Sequence, residues 1–397
     1  MLLAGRRFWL VGIGGAGLSG YAIVAQAWGA EVAGWDRQET SYLEHVRAAG
    51  IPVTIAAEPP PAPEGWEAVV STAYAGQAEG RSRADFLAEL VSGVRAIVVS
   101  GAHGKTTTAA MIAFVLDSLG LDPSFLIGGE VAQLGGNARA GTGWLVVEGD
   151  ESDRTVFGLP AEIGVITNVD LDHHTTFGST AEVEEEFERW AAGVPHIVWG
   201  RDLEPVELEL SAPGEHNRFN AACALAALEL AGVGREQAAE ALGEFRGVGR
   251  RLEPRGESGG VRFLDDYGHH PAEIGATLAA ARKLAGEGRV LVLFQPHLYS
   301  RTLHLATELA AALALSDSAC VTDVYPAREE PIEGVTGKLV VDRLCELRPG
   351  MPVAWTPKVE QGAELLGARA RSGDLVVTIG AGDVDQAVPL LLERLGA

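Results

Sequence analysis

Residues 100–108 read SGAHGKTTT and separate a short apolar run from a helix-like segment. The apolar run, residues 96–99, predicts a buried strand, and residues 109–119 predict a helix. Glycines let a backbone approach phosphate oxygens, a lysine can reach the β and γ phosphates, and a following threonine can ligate Mg²⁺. A helix N-terminus adds its own attraction for anions. We therefore predict a phosphate-binding loop that acts through Lys105 and Thr106, the alternative being a plain glycine turn.

A second glycine-rich segment, GIGGAG at residues 12–17, lies between a predicted strand at 8–13 and a predicted helix at 18–28. It fits the G-x-G-x-x-G pattern, and Asp36 at the end of the next strand is a possible ribose acceptor. The motif alone leaves open NAD or FAD, another diphosphate nucleotide, or a structural tight turn. Because the next domain carries a second nucleotide loop, the pair favours an enzyme with two nucleotides over a simple dehydrogenase.

The composition indicates which binding partners are excluded and in which cellular compartment the protein is expected. The chain has 397 residues and a formal net charge of −23. Nucleic acids and anionic membranes bind clustered Lys and Arg, so this charge argues against both. Cys223, Cys320 and Cys345 lack metal-ligand spacing and predict reduced structural thiols. Glycines interrupt the N-terminal segment and no long apolar run follows, so we expect a cytoplasmic protein without membrane insertion.

Strand-like and helix-like segments alternate along the whole chain. Such alternation predicts an α/β fold with mainly parallel sheets. We expect three domains, at residues 1–93, 94–247 and 248–397. The first and third are expected to be Rossmann-like, and the central one carries the phosphate loop.

Polar residues cluster where predicted strands end, which is where α/β sheets bind ligands. The acidic segment 148–153 offers hard oxygens suited to Mg²⁺, with a solvated loop as the alternative. His173 and His174 follow the next strand and favour a nucleotide or Mg²⁺ contact over a zinc site. Asn217 and Asn220 precede a predicted buried helix and either contact a nucleotide or cap that helix. Three further polar groups belong to the third domain, namely residues 250–253, 265–271 and 295–301.

Taken in order, these segments resemble the Mur ligases, and within that family the members that join L-alanine to UDP-N-acetylmuramate. The resemblance covers nearly the whole chain, and the order of the motifs is its specific part. The matching stretches are residues 11–20, 101–108, 148–153, 216–220, 250–251, 265–271, 323–326 and 380–383.

The resemblance implies an ATP-dependent, ADP-forming ligase of peptidoglycan precursor synthesis that works with Mg²⁺, as a monomer or weak homodimer. The carboxylate of UDP-N-acetylmuramate would attack the γ phosphate of ATP to give an acyl phosphate, and alanine would then displace phosphate. The first loop would bind the UDP-sugar rather than NAD, and the third domain would bind the amino acid and close.

The resemblance also implies roles for individual residues. The UDP-sugar-binding residues would be Gly14, Gly15, Gly17, Ser19, Asp36, Ser71 and Thr72. The ATP-binding residues would be Gly101, Gly104, Lys105, Thr106, Thr107, Asn217, Asn220, Arg251 and Asp266, and the metal ligands Thr106, Glu148 and His173. The catalytic residues would be Lys105, Glu148, His173 and Asp266, and the amino-acid-binding residues Tyr267, His269, His297 and Arg301.

The lysine content separates members of the family. The later Mur ligases typically use a carbamylated lysine in the central domain, and here no lysine lies between residues 106 and 282. That leaves the alanine-adding ligase or its relative that reattaches recycled tripeptide to UDP-N-acetylmuramate. Alternatives from other classes are a nicotinamide-dependent oxidoreductase and a catalytically inactive nucleotide-binding relative.

The sequence also departs from the family pattern. Leu298 stands where the family usually has arginine beside the amino-acid site. Tyr74 and Gly76 differ from the residues that usually follow the first-domain strand predicted at residues 68–71. The interval between His173 and His216 is short, which predicts a trimmed peripheral β element. We therefore expect weakened amino-acid binding and, to a lesser degree, altered sugar contacts.

Overall fold

The computed structural model describes residues 2–40, 42–171, 176–211, 214–327 and 329–396. Its chain divides into two units, one of Met1–Ser211 with His216–Val248 and one of Ala212–Glu215 with Gly249–Ala397. Two sheets lie in the first unit and one in the second.

The first sheet is wholly parallel. Its strands are β1 (Arg7–Val11), β2 (Glu31–Asp36), β3 (Val53–Ile55), β4 (Glu67–Val70) and β5 (Arg81–Ser82), and its helices are α1 (Ala16–Ala27), α2 (Tyr42–Ala48) and α3 (Arg83–Ser92). The strand order is β3-β2-β1-β4-β5, so β1 lies at the centre between β2 and β4. The order reverses at β1, and the glycine loop that follows it opens at the point where such sheets bind ligands.

The second sheet carries the phosphate loop. Its strands are β6 (Ala96–Ser100), β7 (Ser124–Val131), β8 (Gly136–Arg139), β9 (Leu145–Glu148), β10 (Ile163–Ile166) and β11 (His196–Trp199), and its helices are α4 (Lys105–Ser118), α5 (Thr180–Ala191), α6 (Glu215–Leu230) and α7 (Arg235–Gly243). The strand order is β11-β10-β6-β9-β7-β8. Because β6 is parallel to both β9 and β10, the loops that follow these three strands meet at one edge.

The first two sheets share one hydrophobic core. Helix α1 packs on β7 and β8, and its Gly20 allows the close approach. A Cβ at Gly20 would lie 3.0 Å from the Ala138 side chain and 3.1 Å from that of Leu126. This packing explains why both sheets belong to one unit.

The third sheet forms the second unit. Its strands are β12 (Glu253–Ser258), β13 (Val261–Asp266), β14 (Val290–Phe294), β15 (Ser318–Val321), β16 (Val353–Trp355) and β17 (Leu375–Ile379), and its helices are α8 (Pro271–Ala285), α9 (Tyr299–Leu313), α10 (Gly337–Leu347), α11 (Val359–Arg369) and α12 (Ala387–Gly396). The strand order is β12-β13-β17-β14-β15-β16. The central strands β14 and β17 are buried throughout and read VLVLF and LVVTI, as expected of a parallel sheet covered on both faces.

The prediction of an α/β fold with mainly parallel sheets is confirmed, with two antiparallel pairs, β7 with β8 and β12 with β13, that the sequence did not indicate. Two helices begin earlier than predicted. Helix α4 starts at Lys105 and α6 at Glu215, so the polar residues expected before these helices lie within their first two turns. Among the described residues, no helix is long and apolar enough to cross a lipid bilayer. All three cysteines are free thiols; Cys223 and Cys320 are buried, whereas Cys345 is exposed.

Candidate functional site

The first glycine loop joins β1 to α1 and is held by the side chain that ends β2. Asp36 is buried, and its Oδ2 accepts a hydrogen bond from Gly14 N at 2.8 Å. Thr40 Oγ1 donates to the carbonyl of the same glycine at 2.8 Å. The sequence predicted Asp36 as a ribose acceptor. In the structure one of its carboxylate oxygens holds the loop.

The loop meets the end of β4 at Gly12. This glycine has a φ of +87°, and a Cβ there would lie 2.5 Å from Ser71 Oγ and 2.8 Å from the Tyr74 ring. Only glycine fits, because both the backbone conformation and the space exclude a side chain. Ser71 Oγ is buried without a hydrogen-bond partner in the described part of the chain. The predicted residues of β2, β4 and the glycine loop therefore share one edge of the first sheet.

The other predicted UDP-sugar-binding residues differ in burial and in their hydrogen-bond partners. Ser19 is buried in α1, and its Oγ donates to Ala16 O at 3.2 Å. Gly15 N donates to Gly12 O at 3.1 Å, which closes the loop on itself. Thr72 is exposed, and its Oγ1 lies 3.4 Å from Asp153 Oδ2 in the segment after β9.

Two left-handed glycines shape the phosphate loop after β6. Gly101 has a φ of +126° and Gly104 a φ of +80°. A Cβ at Gly101 would collide with the Thr167 side chain, and one at Gly104 with the side chain of Asn220. Both positions therefore need glycine for conformation and for space.

The residues that follow β10 clamp the same loop. Asn168 Oδ1 accepts from His103 N, and Asn168 Nδ2 donates to His103 O, each at 2.8 Å. Thr167 Oγ1 donates to the same carbonyl at 2.7 Å. The Asn168 amide therefore supports the loop backbone through both its oxygen and its nitrogen. The residues after β10 therefore hold the loop backbone in this conformation.

Lys105 begins α4 and turns its ammonium back to the loop. Its Nζ donates to Gly101 O at 2.6 Å and lies 3.0 Å from a Glu151 carboxylate oxygen. The Lys105 side chain is 15% exposed and that of Glu151 only 3%. Burial by itself would lower the pKa of Lys105, but the carboxylates of Glu151 and Asp150 outweigh it and raise the pKa above its usual value. The ammonium is therefore charged at neutral pH, as a phosphate ligand must be.

Thr106 and Glu148 place two hard oxygens side by side. Thr106 Oγ1 donates to Glu148 Oε1 at 2.9 Å, and Gly128 N donates to Glu148 Oε2 at 2.7 Å. A threonine hydroxyl and a carboxylate next to a phosphate-loop lysine suit Mg²⁺ in a nucleotide site. These two predicted ligands fit a divalent cation, and the third, His173, lies outside the described residues.

The two asparagines of α6 lie beside the phosphate loop. Asn220 packs on Gly104, and its Nδ2 donates to Asn217 Oδ1 at 3.3 Å. Both asparagines are buried. Thr107 lies in the first turn of α4 and is also buried. The structure therefore brings the predicted ATP-binding residues of the first unit together.

Arg250, near the start of the second unit, is held by one carboxylate and two backbone carbonyls. Arg250 Nε donates to Asp265 Oδ2 at 2.9 Å, and its Nη2 and Nη1 donate to Gly380 O and Gly382 O at 2.7 and 2.9 Å. Asp265 is fully buried, and burial raises its pKa although Arg250 opposes the shift. Arg250 therefore ties β13 to the segment that follows β17.

Asp266, predicted to be catalytic, uses both carboxylate oxygens to hold backbone. Its Oδ2 accepts from Leu252 N and its Oδ1 from Gly268 N, each at 2.8 Å. The side chain is buried, which raises its pKa, and the Arg251 charge opposes that shift. Leu252 has a φ of +48°, so the carboxylate supports a strained turn. Its predicted ATP contact stays a prediction beside this structural role.

Arg251, Tyr267 and His269 lie close together. The Arg251 guanidinium carbon is 5.4 Å from the centroid of the Tyr267 ring, and its Nη1 is 3.5 Å from Glu273 Oε1. The His269 ring lies edge-on to the Tyr267 ring with centroids 5.7 Å apart. Glu273 also caps α8 through the backbone of His270, which fixes the start of that helix.

The remaining predicted amino-acid-binding residues extend this group. The rings of His269 and His297 are 5.6 Å apart, and His297 stacks on Tyr325 at 5.9 Å with an interplanar angle of 12°. Arg301 is buried, and its Nη1 lies 3.3 Å from His297 Nδ1. The structure thus joins all four predicted residues into one continuous group and adds Tyr325.

Leu298 lies at the N-cap of α9 with a φ of +68° and a ψ of 134°. Its carbonyl accepts from Thr302 N at 3.1 Å and Thr302 Oγ1 at 2.8 Å, and its N donates to Tyr325 O at 3.0 Å. A non-glycine residue in this conformation is strained, and such strain is often found at functional sites. Its side chain supplies no charge to the group.

Three residues that contact the predicted site residues were not predicted from the sequence, namely Thr167, Tyr325 and Arg83. Thr167 and Tyr325 each carried a signal, since one lies near the end of the strand predicted at residues 163–168 and the other lies in the matching stretch 323–326. Arg83 carried none, because it stands at the start of α3 away from every motif, yet its side chain reaches Asp153.

Family models match three consecutive parts of the chain. They are described as "Mur ligase family, catalytic domain" at residues 8–95, "Mur ligase middle domain" at 99–202, and "Mur ligase, glutamate ligase domain" at 250–382.

Curated relatives and solved structures agree with these matches. The UDP-N-acetylmuramate--L-alanine ligase of Streptomyces avermitilis is 38% identical and covers 97% of this chain and 96% of the relative. That of Rubrobacter xylanophilus is also 38% identical, over 97% and 99%. The solved UDP-N-acetylmuramate-alanine ligase MurC of Thermotoga maritima is 25% identical, with a TM-score of 0.81 and 98% of each chain covered. A murein peptide ligase of Psychrobacter arcticus, 22% identical with a TM-score of 0.67 over 99% of each chain, shares the fold. The chain therefore belongs to the Mur ligase family.

Proposed function

We propose that this protein is an ATP-dependent, ADP-forming ligase that joins L-alanine to the carboxylate of UDP-N-acetylmuramate in peptidoglycan precursor synthesis. The observation that carries the proposal is the phosphate loop, where the Lys105 ammonium is bound to Gly101 O and the Thr106 hydroxyl is paired with the Glu148 carboxylate. Relatives named for this reaction, 38% identical over nearly the full chain, supply its substrates.

The three domains divide the substrates between them. The UDP-sugar is assigned to residues 1–93, ATP with Mg²⁺ to 94–247, and the amino acid to 248–397. The edge formed by Gly14, Asp36 and Ser71 supports the first assignment, because a glycine loop at the N-terminus of α1 suits a diphosphate.

The first chemical step brings two anions together. A carboxylate oxygen of UDP-N-acetylmuramate attacks the γ phosphorus, the new O–P bond forms, and the bond to ADP breaks to leave an acyl phosphate. Lys105 neutralises phosphate charge, and its preorganised position means that little rearrangement is needed at the moment of reaction. Thr106 and Glu148 would hold Mg²⁺, which adds positive charge at the phosphates when bound.

The second step forms the amide. The neutral amine of alanine attacks the acyl carbon, and its nitrogen loses a proton to solvent. Collapse of the tetrahedral intermediate then breaks the C–O bond, and phosphate leaves with the electron pair. Arg301 and His297 are the groups we assign to the α-carboxylate, since a guanidinium pairs well with a carboxylate. Tyr267 and His269 would complete that site. Arg251, Asp266 and His173 stay predictions as ATP or metal contacts.

The test is phosphate release from ATP by the full-length protein with UDP-N-acetylmuramate. Parallel reactions contain L-alanine, other amino acids, tripeptide or no amine, and Lys105→Met controls for contaminating ATPases. We expect release that depends on alanine, with the alanyl product identified by mass spectrometry. Release with tripeptide but not with alanine would assign the recycling reaction instead. Absence of release with every amine would contradict the proposal.

A further inference from the structure

The first glycine loop has no cation of its own. Residues 12–20 read GIGGAGLSG and contain neither lysine nor arginine, in a chain whose net charge is −23. The N-terminal amides of α1 offer only partial positive charge, which is modest against a diphosphate. A cation from elsewhere in the first unit would complete the site.

Arg83 reaches the loop from the start of α3. Ser82 caps this helix by accepting from Asp85 N at 3.1 Å, which fixes Arg83 as the first helical residue. A Cβ built at Gly17 would lie 2.9 Å from Arg83 Nη1 and 3.7 Å from the Tyr21 hydroxyl. The guanidinium therefore packs directly against the backbone of the glycine loop.

Carboxylates of the segment after β9 hold the other edge of this guanidinium. Arg83 Nη2 donates to Asp153 Oδ2 at 2.8 Å, and Nε lies 3.3 Å from the same oxygen. Among the described residues, Nη1 makes no hydrogen bond, and Nη1 is the atom that lies nearest Gly17. A guanidinium anchored through Nε and Nη2 still has donors at Nη1 for an anion.

The anchoring segment also serves the phosphate loop. Asp153 binds Arg83, and Glu151, two residues earlier, binds Lys105 at 3.0 Å. Residues 148–153 thus contact Arg83 beside the first glycine loop and Lys105 of the phosphate loop. One short segment therefore holds a cation beside each glycine loop.

We propose that Arg83 is a substrate-binding residue, whose Nη1 donates a hydrogen bond to the diphosphate of UDP-N-acetylmuramate beside Gly17 while Asp153 holds the guanidinium in place. The assignment rests on the proposed function in that it takes the UDP-sugar to be the ligand of the first loop.

Calorimetric titration of the full-length protein with UDP, with UDP-N-acetylmuramate and with ATP tests this role. Arg83→Met removes the cation, Arg83→Lys keeps the charge without the fork, and Arg95→Met is the matched control. Arg95 is 65% exposed and pairs with Glu162 at 2.7 Å, so its loss changes the net charge equally. We expect Arg83→Met to weaken both uridine ligands by about tenfold or more, Arg83→Lys by about threefold, and Arg95→Met by less than about twofold. ATP affinity should change by less than about twofold in all three.

Asp153→Asn separates binding from structural support, since it loosens the anchor but keeps the cation. We expect it to retain UDP affinity within about threefold. Wild-type UDP affinity in Arg83→Met overturns the inference. An equal loss of UDP affinity in Asp153→Asn and Arg83→Met, with a lowered Tm in both, overturns it as well and assigns the residue to structure. If the ligase reaction itself is wrong, the wild type would show Arg83-dependent UDP binding without alanine-dependent phosphate release.

Discussion

The two glycine loops share a local design but differ in the origin of their positive charge. Each follows a central strand, leads into a helix, and uses a left-handed glycine, Gly12 at +87° in one and Gly104 at +80° in the other. The phosphate loop carries Lys105 in its own sequence, whereas the first loop has Arg83 beside it from another helix. The sequence motif of the phosphate loop therefore includes its cation, whereas the motif of the first loop specifies only the backbone conformation.

Lys105→Met should remove the positive charge that the phosphate loop carries in its own sequence. A cation that acts on a transferring phosphoryl group contributes about 3 kcal/mol or more, so we expect kcat to fall by at least about a hundredfold. Lys283→Met, which removes the next lysine along the chain from an exposed position on α8, should leave kcat unchanged. Initial rates at saturating substrates, with circular dichroism as a check of folding, measure both. Near-normal turnover in Lys105→Met would end the phosphate-loop assignment.

Thr106→Val should act on the metal. The substitution keeps the shape of the side chain but removes the hydroxyl that lies 2.9 Å from Glu148 Oε1. Loss of one oxygen ligand should raise the Mg²⁺ concentration for half-maximal rate by about ten- to thirtyfold, and Thr106→Ser should restore it. A Mg²⁺ titration of the rate distinguishes the variants. An unchanged Mg²⁺ requirement in the valine variant would exclude Thr106 as a ligand.

Gly17→Ala should perturb the first loop alone. The added methyl would lie 2.9 Å from Arg83 Nη1, so the guanidinium must move. We expect UDP-N-acetylmuramate to bind about fivefold more weakly and ATP to bind as before. Gly275→Ala is the control, because it lies in α8 and meets nothing within 4 Å. A weakening of ATP in Gly17→Ala would mean that the loops are not independent.

Leu298→Arg should add a positive charge to the predicted amino-acid site. Arginine there would donate to the carboxylate of alanine and lower its KM severalfold, by about 1 to 2 kcal/mol. Leucine and arginine bear the same backbone strain at a φ of +68°, so stability should change little. Rates against alanine concentration, with Leu298→Met as control, measure the effect. An unchanged or higher KM would show that this position does not face the carboxylate.

Much of the site followed from the sequence because parallel strands end at one edge. The segments after β6, β9 and β10 were each recognised separately, and their convergence around Lys105, Thr106 and Glu148 follows from strand order. The order itself, with β6 between the other two, is a tertiary fact. The sequence indicated which residues could hold phosphate and metal but not their distances.

Other features depend on contacts between segments that are distant in the chain. Nothing local shows that Asp36 holds Gly14 or that Asp266 holds Leu252, since each carboxylate could equally bind a ligand. The reach of Arg83 to Asp153 depends on packing between the first two sheets. Such residues carry no spacing signal, because their partners are set by the fold.

We expect the first loop to bind a UDP-sugar while the second binds ATP. Calorimetric titration of UDP-N-acetylmuramate into the wild-type protein, alone and saturated with a non-hydrolysable ATP analogue, tests it most directly. We expect one UDP-N-acetylmuramate to bind per chain under both conditions, and NADH not to bind. Loss of UDP-N-acetylmuramate binding in the presence of the analogue, or tight NADH binding without a response to UDP-N-acetylmuramate, would contradict it.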